Sequence, residues 1–293
     1  MKSTDSINQP SMCMGFGCNA AGVVGCRIID SPRERLIAVI TNNFVPCNGR
    51  FPTLIAIISM FFLTGISGMW KSAASAALLT CVIILGIFMT FAVSRVLSGT
   101  ILKGVPSSFV LEMPPYRKPQ VGKVIVRSIF DRTLFVLGRA AATATPAGLI
   151  IWLMSNITAG GASILSICAN ALDPFAALIG LDGVILMAFI LGFPANEIVV
   201  PIIIMSYMAQ GNIIELDSLA RLNELLVCNG WTWTTAVCVM LFSLMHWPCS
   251  TTCLTIRKET RSWKWTAVSF AVPTMAGIVV CFVFATVMRL FIK

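Results

Sequence analysis

Long runs of apolar residues, separated by short polar stretches, dominate this chain. Several of them approach or reach the roughly 20 residues that a helix needs to cross the hydrocarbon core of a bilayer. They lie at about residues 51–70, 73–94, 133–154, 184–209, 232–248 and 266–292. The pattern predicts an all-α, polytopic helical membrane protein with roughly five to seven crossings in one membrane domain.

Glycine, proline and asparagine interrupt the apolar pattern and predict where helices begin and end. Ser31 and Glu34 have the spacing of a capping box, so a helix is expected to open there and to stop at the pair Asn42 and Asn43. The glycine-rich stretch at residues 13–27 is too short and too broken for a full crossing. It predicts a half-helix or a re-entrant element instead.

Composition narrows the class of protein. With 57% hydrophobic and 11% charged residues and a mean hydropathy of +0.88, the chain has too little polar surface to cover a soluble globule of 293 residues. Much of its net charge of +9 comes from a basic, proline-containing segment at 95–132, which the positive-inside rule places in the cytoplasm. Aromatic residues are not interleaved with the basic ones, so anionic lipid headgroups rather than nucleic acid are the expected partner. The 11 cysteines show no framework spacing, and no disulfide is predicted.

Glu197 is the one acidic residue inside any of the long apolar segments. It follows Gly192 and Pro194 near the middle of residues 184–209, where a charged side chain costs about 2.5–3.5 kcal/mol to insert. Transporters use helices broken beside such a carboxylate to build ion sites, because the break frees backbone carbonyl oxygens for coordination. The alternative is a carboxylate that pairs with a neighbouring helix for assembly.

The charge rule distinguishes two topologies for residues 184–209. A single crossing would place the acidic loop at 211–231 in the cytoplasm and the basic loop at 249–265 outside, against the positive-inside rule. A re-entrant hairpin folded at Pro194 reverses both placements. It also agrees with the connection at 156–182, which has no Lys or Arg and is expected outside. We therefore predict the hairpin.

A weak internal repeat accompanies these breaks. GFGCNAAGV at 15–23 resembles GFPANEIVV at 192–200, and FVPCNGRFPTLIAI at 44–57 resembles HWPCSTTCLTI at 246–256. The segment between the paired motifs is basic in the first copy and acidic in the second, as an inverted-topology repeat would produce. Chance similarity is the alternative, because the spacing between the motifs differs between the two copies.

Three cysteines stand at the predicted breaks: Cys18, Cys47 and Cys249. Thiolates are soft ligands and carboxylates are hard ones, so a site that combines these thiols with Glu197 suits a borderline ion such as Fe²⁺ better than Na⁺ or Mg²⁺. A single cysteine near a membrane proline is more often a small packing residue. The occurrence of all three at breaks favours a metal path.

Three further residues are candidate helpers at this site. His246, the only histidine, precedes Cys249 by three residues, so on a helical turn its ring would share a face with the thiol as a ligand or proton carrier. The alternative is an interfacial residue beside Trp247. Asn19 and Asn196 offer amide oxygens beside the broken backbone, although asparagine also stabilises turns. The sequence has no GxxxxGK(S/T) motif, so neither a nucleotide site nor enzymatic catalysis is expected in this chain.

A series of motifs resembles the membrane part of the ferrous iron transport protein B family, from about residue 14 to the C-terminus. In chain order they are GFGCNAAGV, SPRERL, PCNGRFP, FVLEMPPYRKP, LDPFAALIGLDG, GFPANEIVVP, HWPCSTT and IRKETRSWKW. The resemblance implies a protein of the bacterial cytoplasmic membrane that moves Fe²⁺ inward through two gate halves arranged as an inverted repeat. The family's proposed iron-path cysteines match Cys18, Cys47 and Cys249. Family members begin with a GTPase domain that bears a P-loop, and that domain is expected to be missing here.

The resemblance also divides the chain. The expected parts are a polar leader at 1–13, the C-terminal part of a first gate half at 14–94, the cytoplasmic loop at 95–132, and the second gate half with the C-terminal membrane region at 133–293. Fe²⁺ is the expected substrate, and the expected partners are the lipid bilayer, a GTPase-bearing N-terminal half, small accessory Feo proteins or further copies of the chain. Two alternatives stay open: a non-transporting fragment or scaffold that needs the missing half, and a gate-domain transporter of another solute such as a nucleoside.

Overall fold

A computed structural model of the chain describes residues 9–63, 68–102, 162–209 and 219–291, together with residues 122, 145–146, 148–150, 152–154 and 156–159. Within these residues the protein is α-helical, as predicted, apart from one small antiparallel ladder in which Thr158–Ala159 (β1) pairs with Ala162–Ser163 (β2). Most of the predicted loop at 95–132 and of the apolar segment at 133–154 lies outside the described residues.

The described helices carry the numbers used below. They are α1 (Gln9–Gly17), α2 (Asn19–Gly25), α3 (Pro32–Thr41), α4 (Phe51–Ile57), α5 (Met69–Gly99), α6 (Ile164–Leu178), α7 (Gly183–Leu191), α8 (Val199–Ala209), α9 (Leu219–Cys228), α10 (Trp233–Met245), α11 (Ser250–Thr260) and α12 (Trp263–Phe291). Short 3₁₀ turns lie at Cys26–Ile28, Asn42–Phe44 and Asn196–Ile198, and a π-helical turn at Ile58–Phe62 continues α4.

Three helical spans within the described residues are long and apolar enough to cross a membrane: α5, the pair α10 and α11 taken together, and α12. A fourth arises if α6 and α7, which meet at a bend of 108°, count as one span. The prediction of five to seven crossings stays a prediction, because part of the apolar pattern lies outside the described residues.

Two helices show how far the local sequence signals reach. α3 confirms the predicted capping box, since its N-cap Ser31 accepts a hydrogen bond from the Glu34 N–H through its hydroxyl oxygen at 3.5 Å. α6, in contrast, occupies the connection at 156–182, where the charge pattern indicated only an external loop. It forms because Ser163 caps its first turn and because it packs along α7.

The first copy of the repeat consists of a helical hairpin and a broken span. α1 and α2 pack against each other with the break at Cys18 as the tip, and Met14 of α1 consequently lies beside Gly25 of α2. α3 and α4 form the broken span, and the turn between them contains Cys47 and Arg50. The glycine-rich stretch is thus a short hairpin of the re-entrant kind that was predicted.

The second copy repeats this arrangement. α7 and α8 are separated by the break at 192–195 and run antiparallel, because the hydroxyl of Tyr207 near the end of α8 donates to the carboxylate of Asp182 at the start of α7. In one continuous helix these residues, which are 25 positions apart, would be separated by roughly 37 Å. The hairpin predicted at Pro194 is confirmed. α10 and α11 follow as a span broken at 246–249.

The two broken spans run in opposite directions. The start of α3 and the end of α11 meet at one end of the molecule, where Pro32 and Glu259 line the same cavity. At the opposite end, the π-helical continuation of α4 meets the start of α10, and the rings of Phe61 and Trp231 stack with their centroids 5.8 Å apart. The inversion predicted from the sequence repeat is therefore present in the fold.

Candidate functional site at the helix breaks

The breaks of each copy are joined by main-chain hydrogen bonds. In the first copy the Asn48 N–H donates to the Gly17 carbonyl oxygen at 3.3 Å. In the second copy the Ser250 N–H donates to the Phe193 carbonyl oxygen at 2.9 Å, and the Ser250 hydroxyl donates to the Pro194 carbonyl oxygen at 3.3 Å. Asn48 and Ser250 are matching positions of the repeat. Each proline-cysteine turn thus satisfies a carbonyl that the hairpin tip of its own copy leaves free.

The side chain of Glu197, in the second copy of the repeat, contacts the first copy. Its side chain lies against Gly49, where a Cβ atom would be 3.0 Å from Glu197 Cγ and 3.2 Å from its Oε1. Gly49 stands between Cys47 and Arg50, so the carboxylate reaches the proline-cysteine turn of the other copy. Glu197 is an exposed residue.

The buried centre of the site is a cation that the sequence analysis missed. Arg50 is 1% exposed and is the largest fully buried side chain in the described part of the chain. Its Nη1 donates to the carbonyl oxygens of Asn43 and Leu244, both at 2.8 Å. Its Nη2 lies 3.1 Å from Asn43 Oδ1 and 3.4 Å from the carbonyl oxygens of both His246 and Trp247. The guanidinium therefore holds the broken spans of both copies together.

Two asparagines extend this polar network. Asn43 Nδ2 donates to the His246 carbonyl oxygen at 2.6 Å, and Asn19 Nδ2 lies 3.2 Å from Asn43 Oδ1. With its amide nitrogen and oxygen exchanged, Asn19 donates instead to the carbonyl oxygens of Gly15 and Val45, each at 3.2 Å. In either orientation Asn19 is hydrogen-bonded to groups around the first break.

His246 is buried and ends α10. Its Nδ1 lies 3.1 Å from the Phe242 carbonyl oxygen and 2.9 Å from that of Ser243, so this nitrogen carries a proton and donates it. Its Nε2 lies 3.3 Å from Asn196 Oδ1. Only 1% of the residue is exposed, so the ring is buried within the protein. The prediction that His246 and Cys249 share a helical face was wrong. The chain is extended at His246 (φ −72°, ψ 179°), two residues before Pro248, and Cys249 is the N-cap residue of the next helix.

The three thiols lie at the breaks but do not form one chelate. Cys18 precedes α2 and is exposed, whereas Cys47 and Cys249 are half-buried. Both half-buried thiols are within electrostatic range of the Arg50 guanidinium, and Cys249 Sγ lies 3.2 Å from Thr252 Oγ1. Over the ranges that the structure describes, no three Cys, His, Asp or Glu side chains converge closely enough to hold a metal ion.

Arg50 and Asn43 are the site residues that sequence reasoning did not find. Arg50 is a lone basic residue at the end of the turn PCNGR, directly before the apolar helix α4, and that isolation is a signal equivalent to the one that identified Glu197. Asn43 gave no separate signal, because an asparagine at a helix end is common without any further role.

Two family models match the chain. Residues 79–131 match the model described as "Ferrous iron transport protein B C terminus", and residues 137–263 match the model described as "Nucleoside recognition". No solved structure matches the chain.

Curated relatives match almost the whole chain. The Fe(2+) transporter FeoB of Staphylococcus aureus (strain COL) is 30% identical over 297 residues, which cover 96% of this chain and 40% of the relative. The Fe(2+) transporter FeoB of Methanocaldococcus jannaschii is 23% identical over 291 residues, covering 94% of this chain and 41% of that protein. A Porphyromonas gingivalis protein named as a fusion of Fe(2+) transport protein A and Fe(2+) transporter FeoB is 23% identical over 306 residues. The match covers 88% of this chain and 35% of that protein.

The fold and the site define a multi-pass helical membrane protein built on an inverted repeat of broken helices. The matches identify which one: the chain belongs to the ferrous iron transport protein B family and corresponds to its C-terminal membrane portion. It spans about 40% of the length of the curated relatives it matches.

Proposed function

We propose that this chain forms the ion-conducting part of a ferrous iron transporter, through which Fe²⁺ moves from ligand to ligand along the helix breaks. The ligands, met in succession, are Cys18, Cys47, Cys249 and Glu197, assisted by Asn19, Asn196 and His246.

The contact between Glu197 and the turn that contains Cys47 carries this proposal. It brings a hard carboxylate from one copy to a turn with a soft thiol in the other. A mixed ligand set of this kind suits Fe²⁺ better than a purely hard or purely soft ion. In this proposal, the exposed Cys18 binds the ion before it reaches the turn, and the half-buried Cys249 binds it after the turn.

Uptake of radioactive Fe²⁺ tests the proposal in bacterial cells that lack their own ferrous iron uptake and express this chain together with a cognate GTPase-bearing partner. We expect Glu197→Gln and Cys249→Ser each to lower the initial rate of uptake roughly tenfold or more. Replacing even a residue that only hydrogen-bonds a metal ligand lowers metal affinity or activity by about tenfold or more. Cys81→Ser is the matched control, because Cys81 is an exposed thiol of α5 that no described contact joins to the breaks. Unchanged uptake in both site variants would remove the proposed ligands.

A nucleoside transporter is the second candidate, because the model that matches residues 137–263 is described as "Nucleoside recognition". The same cells separate the two functions. Excess nucleoside in the medium leaves iron uptake unchanged if Fe²⁺ is the substrate, whereas chain-dependent uptake of labelled nucleoside without iron uptake would favour the second candidate.

We propose the bacterial cytoplasmic membrane as the site of action and a nucleotide-hydrolysing GTPase portion as the energy-coupling partner, in keeping with the resemblance found in the sequence. The relative named as a fusion with Fe(2+) transport protein A supports a small accessory protein as a further partner. Co-purification of the chain with such proteins from membranes tests these assignments.

A further inference from the structure

Arg50 is surrounded by oxygen atoms that bear no formal charge. Its two terminal nitrogens face four backbone carbonyl oxygens and one amide oxygen, at distances from 2.8 to 3.4 Å. Within the described residues no carboxylate forms an ion pair with it, and its Nε is buried without a hydrogen-bond partner. A single positive charge thus occupies a ring of neutral oxygen ligands contributed by both copies of the repeat. We call these atoms the oxygen ring.

The carbonyls of the oxygen ring are free because the helices end there. Leu244 lies in the last turn of α10, and His246 and Trp247 lie in the break that follows it. The carbonyl of Asn43 belongs to the 3₁₀ turn that ends the first half of the other broken span. Carbonyls released in this way at helix breaks coordinate Na⁺ in broken-helix transporters. Here the guanidinium lies among carbonyls of the same kind.

We infer that Arg50 acts as a tethered resident cation that fills a Na⁺-type carbonyl site and so determines ion specificity. With the oxygen ring occupied, its five oxygen atoms are not available to monovalent and other hard cations. A transported ion can then use the thiols of Cys47 and Cys249 and the carboxylate of Glu197. This mixed set of ligands suits a borderline divalent ion. This inference rests on the proposed function and adds a specificity-determining residue to it.

Replacing Arg50 by alanine empties the oxygen ring and tests the inference through ion binding. The thermal unfolding of the purified chain is measured in NaCl and in choline chloride at equal ionic strength. For Arg50→Ala we expect Tm to be about 2–4 °C or more higher in NaCl, because an ion that binds only the folded state stabilises it. The unaltered protein is expected to show the same Tm in both salts. Arg95→Ala, which removes an exposed arginine of α5, is the matched control and is expected to show no salt-specific difference.

The outcomes are decisive even if the variant is unstable. If Arg50→Ala is folded and its Tm is the same in both salts, the oxygen ring is not a cation site and the inference is overturned. If it is recovered as a folded protein by size-exclusion chromatography from NaCl but not from choline chloride, Na⁺ has replaced the guanidinium and the inference is supported. Failure to recover it from either salt means that Na⁺ does not replace Arg50 and overturns the inference.

Flux measurements separate this inference from the proposed function. In proteoliposomes that contain the chain together with its GTPase-bearing partner, Arg50→Ala is expected to raise the ratio of ²²Na⁺ influx to Fe²⁺ influx by roughly tenfold, a change that general structural damage would not produce. Absence of Fe²⁺ influx in the unaltered chain would count against the proposed function while leaving the Na⁺ binding test in force. Normal Fe²⁺ influx with an unchanged ratio in folded Arg50→Ala would overturn only the role of Arg50.

Discussion

At the scale of single residues, the first break depends on glycines, which have no side chain, as well as on a buried asparagine. Asn42 is buried and donates to the Asn19 carbonyl oxygen at 2.9 Å, which holds the tip of the first hairpin in place. Its amide fits only because Gly15 and Gly22 face it. A Cβ atom at Gly22 would be 2.4 Å from Asn42 Oδ1 and 2.8 Å from Nδ2.

Gly22→Ala is therefore expected to destabilise the protein by about 1–3 kcal/mol, the usual cost of overpacking a buried site. The loss should be visible as a lower Tm of the purified chain and should be accompanied by reduced iron uptake, because Asn42 has to leave the first break. Gly17→Ala is the control in the same motif, since a Cβ atom at Gly17 meets nothing within 4 Å. Equal Tm values for the two variants would contradict this account of Gly22.

At the scale of elements, the hairpin of α7 and α8 is closed by a small polar cluster at the end opposite its tip. Asp182 caps α7 by accepting from the Ile185 N–H at 2.6 Å, and its second carboxylate oxygen accepts from Tyr207. The Tyr207 oxygen in turn accepts from Trp231 Nε1 at 2.8 Å. The cluster ties α8 to the start of α7 and to the residues that precede α10.

A double-mutant cycle measures how strongly this cluster closes the hairpin. Tyr207→Phe and Asp182→Asn are each expected to lower the stability, and their coupling energy should be about 1.5–3 kcal/mol because the hydrogen bond has a charged acceptor. Denaturant or thermal unfolding of the two single variants and the double variant supplies the numbers. Additive effects would show that the two side chains act independently.

At the scale of the whole molecule, the two ends differ in charge. One end combines Arg27, Arg35 and Glu259, and Arg27 pairs with Glu259 at 2.7 Å. The end of α5 that leads into the predicted cytoplasmic loop also lies there, because Arg33 donates to Ser98 Oγ at 3.1 Å. The other end holds Asp182 and Trp231, and Arg289 lines a cavity there beside Leu181. The positive-inside rule assigns the first end to the cytoplasm, which agrees with the hairpin topology.

Labelling with a membrane-impermeant maleimide, read out by peptide mass spectrometry, tests this orientation. The exposed native Cys228, at the end of α9, is expected to react in intact cells, whereas the exposed position of Lys258→Cys is expected to react only in inverted vesicles. Reaction of both positions from the same side would contradict the opposed ends seen in the fold.

Much of this molecule follows from the sequence because its signals are local. A bilayer leaves apolar runs no alternative to helices, so the pattern predicts the class of protein. Glycine, proline and asparagine place the breaks at Cys18, Pro194 and Cys249, since they act on the backbone within a few residues. Charge bias then distinguished the hairpin at Pro194 from a single crossing, and the repeat predicted the inversion.

The sequence by itself thus determined the helical membrane class, the positions of the breaks and the hairpin folded at Pro194. Only the tertiary structure decided which breaks meet and what occupies the space between them. Arg50 donates a hydrogen bond to the Leu244 carbonyl oxygen, 194 positions away. Asn43 donates a hydrogen bond to the His246 carbonyl oxygen, 203 positions away. The physical reason is that every residue has a backbone carbonyl oxygen, so a ring of such oxygens around a buried cation produces no sequence motif. The ring forms only when both copies of the repeat pack together.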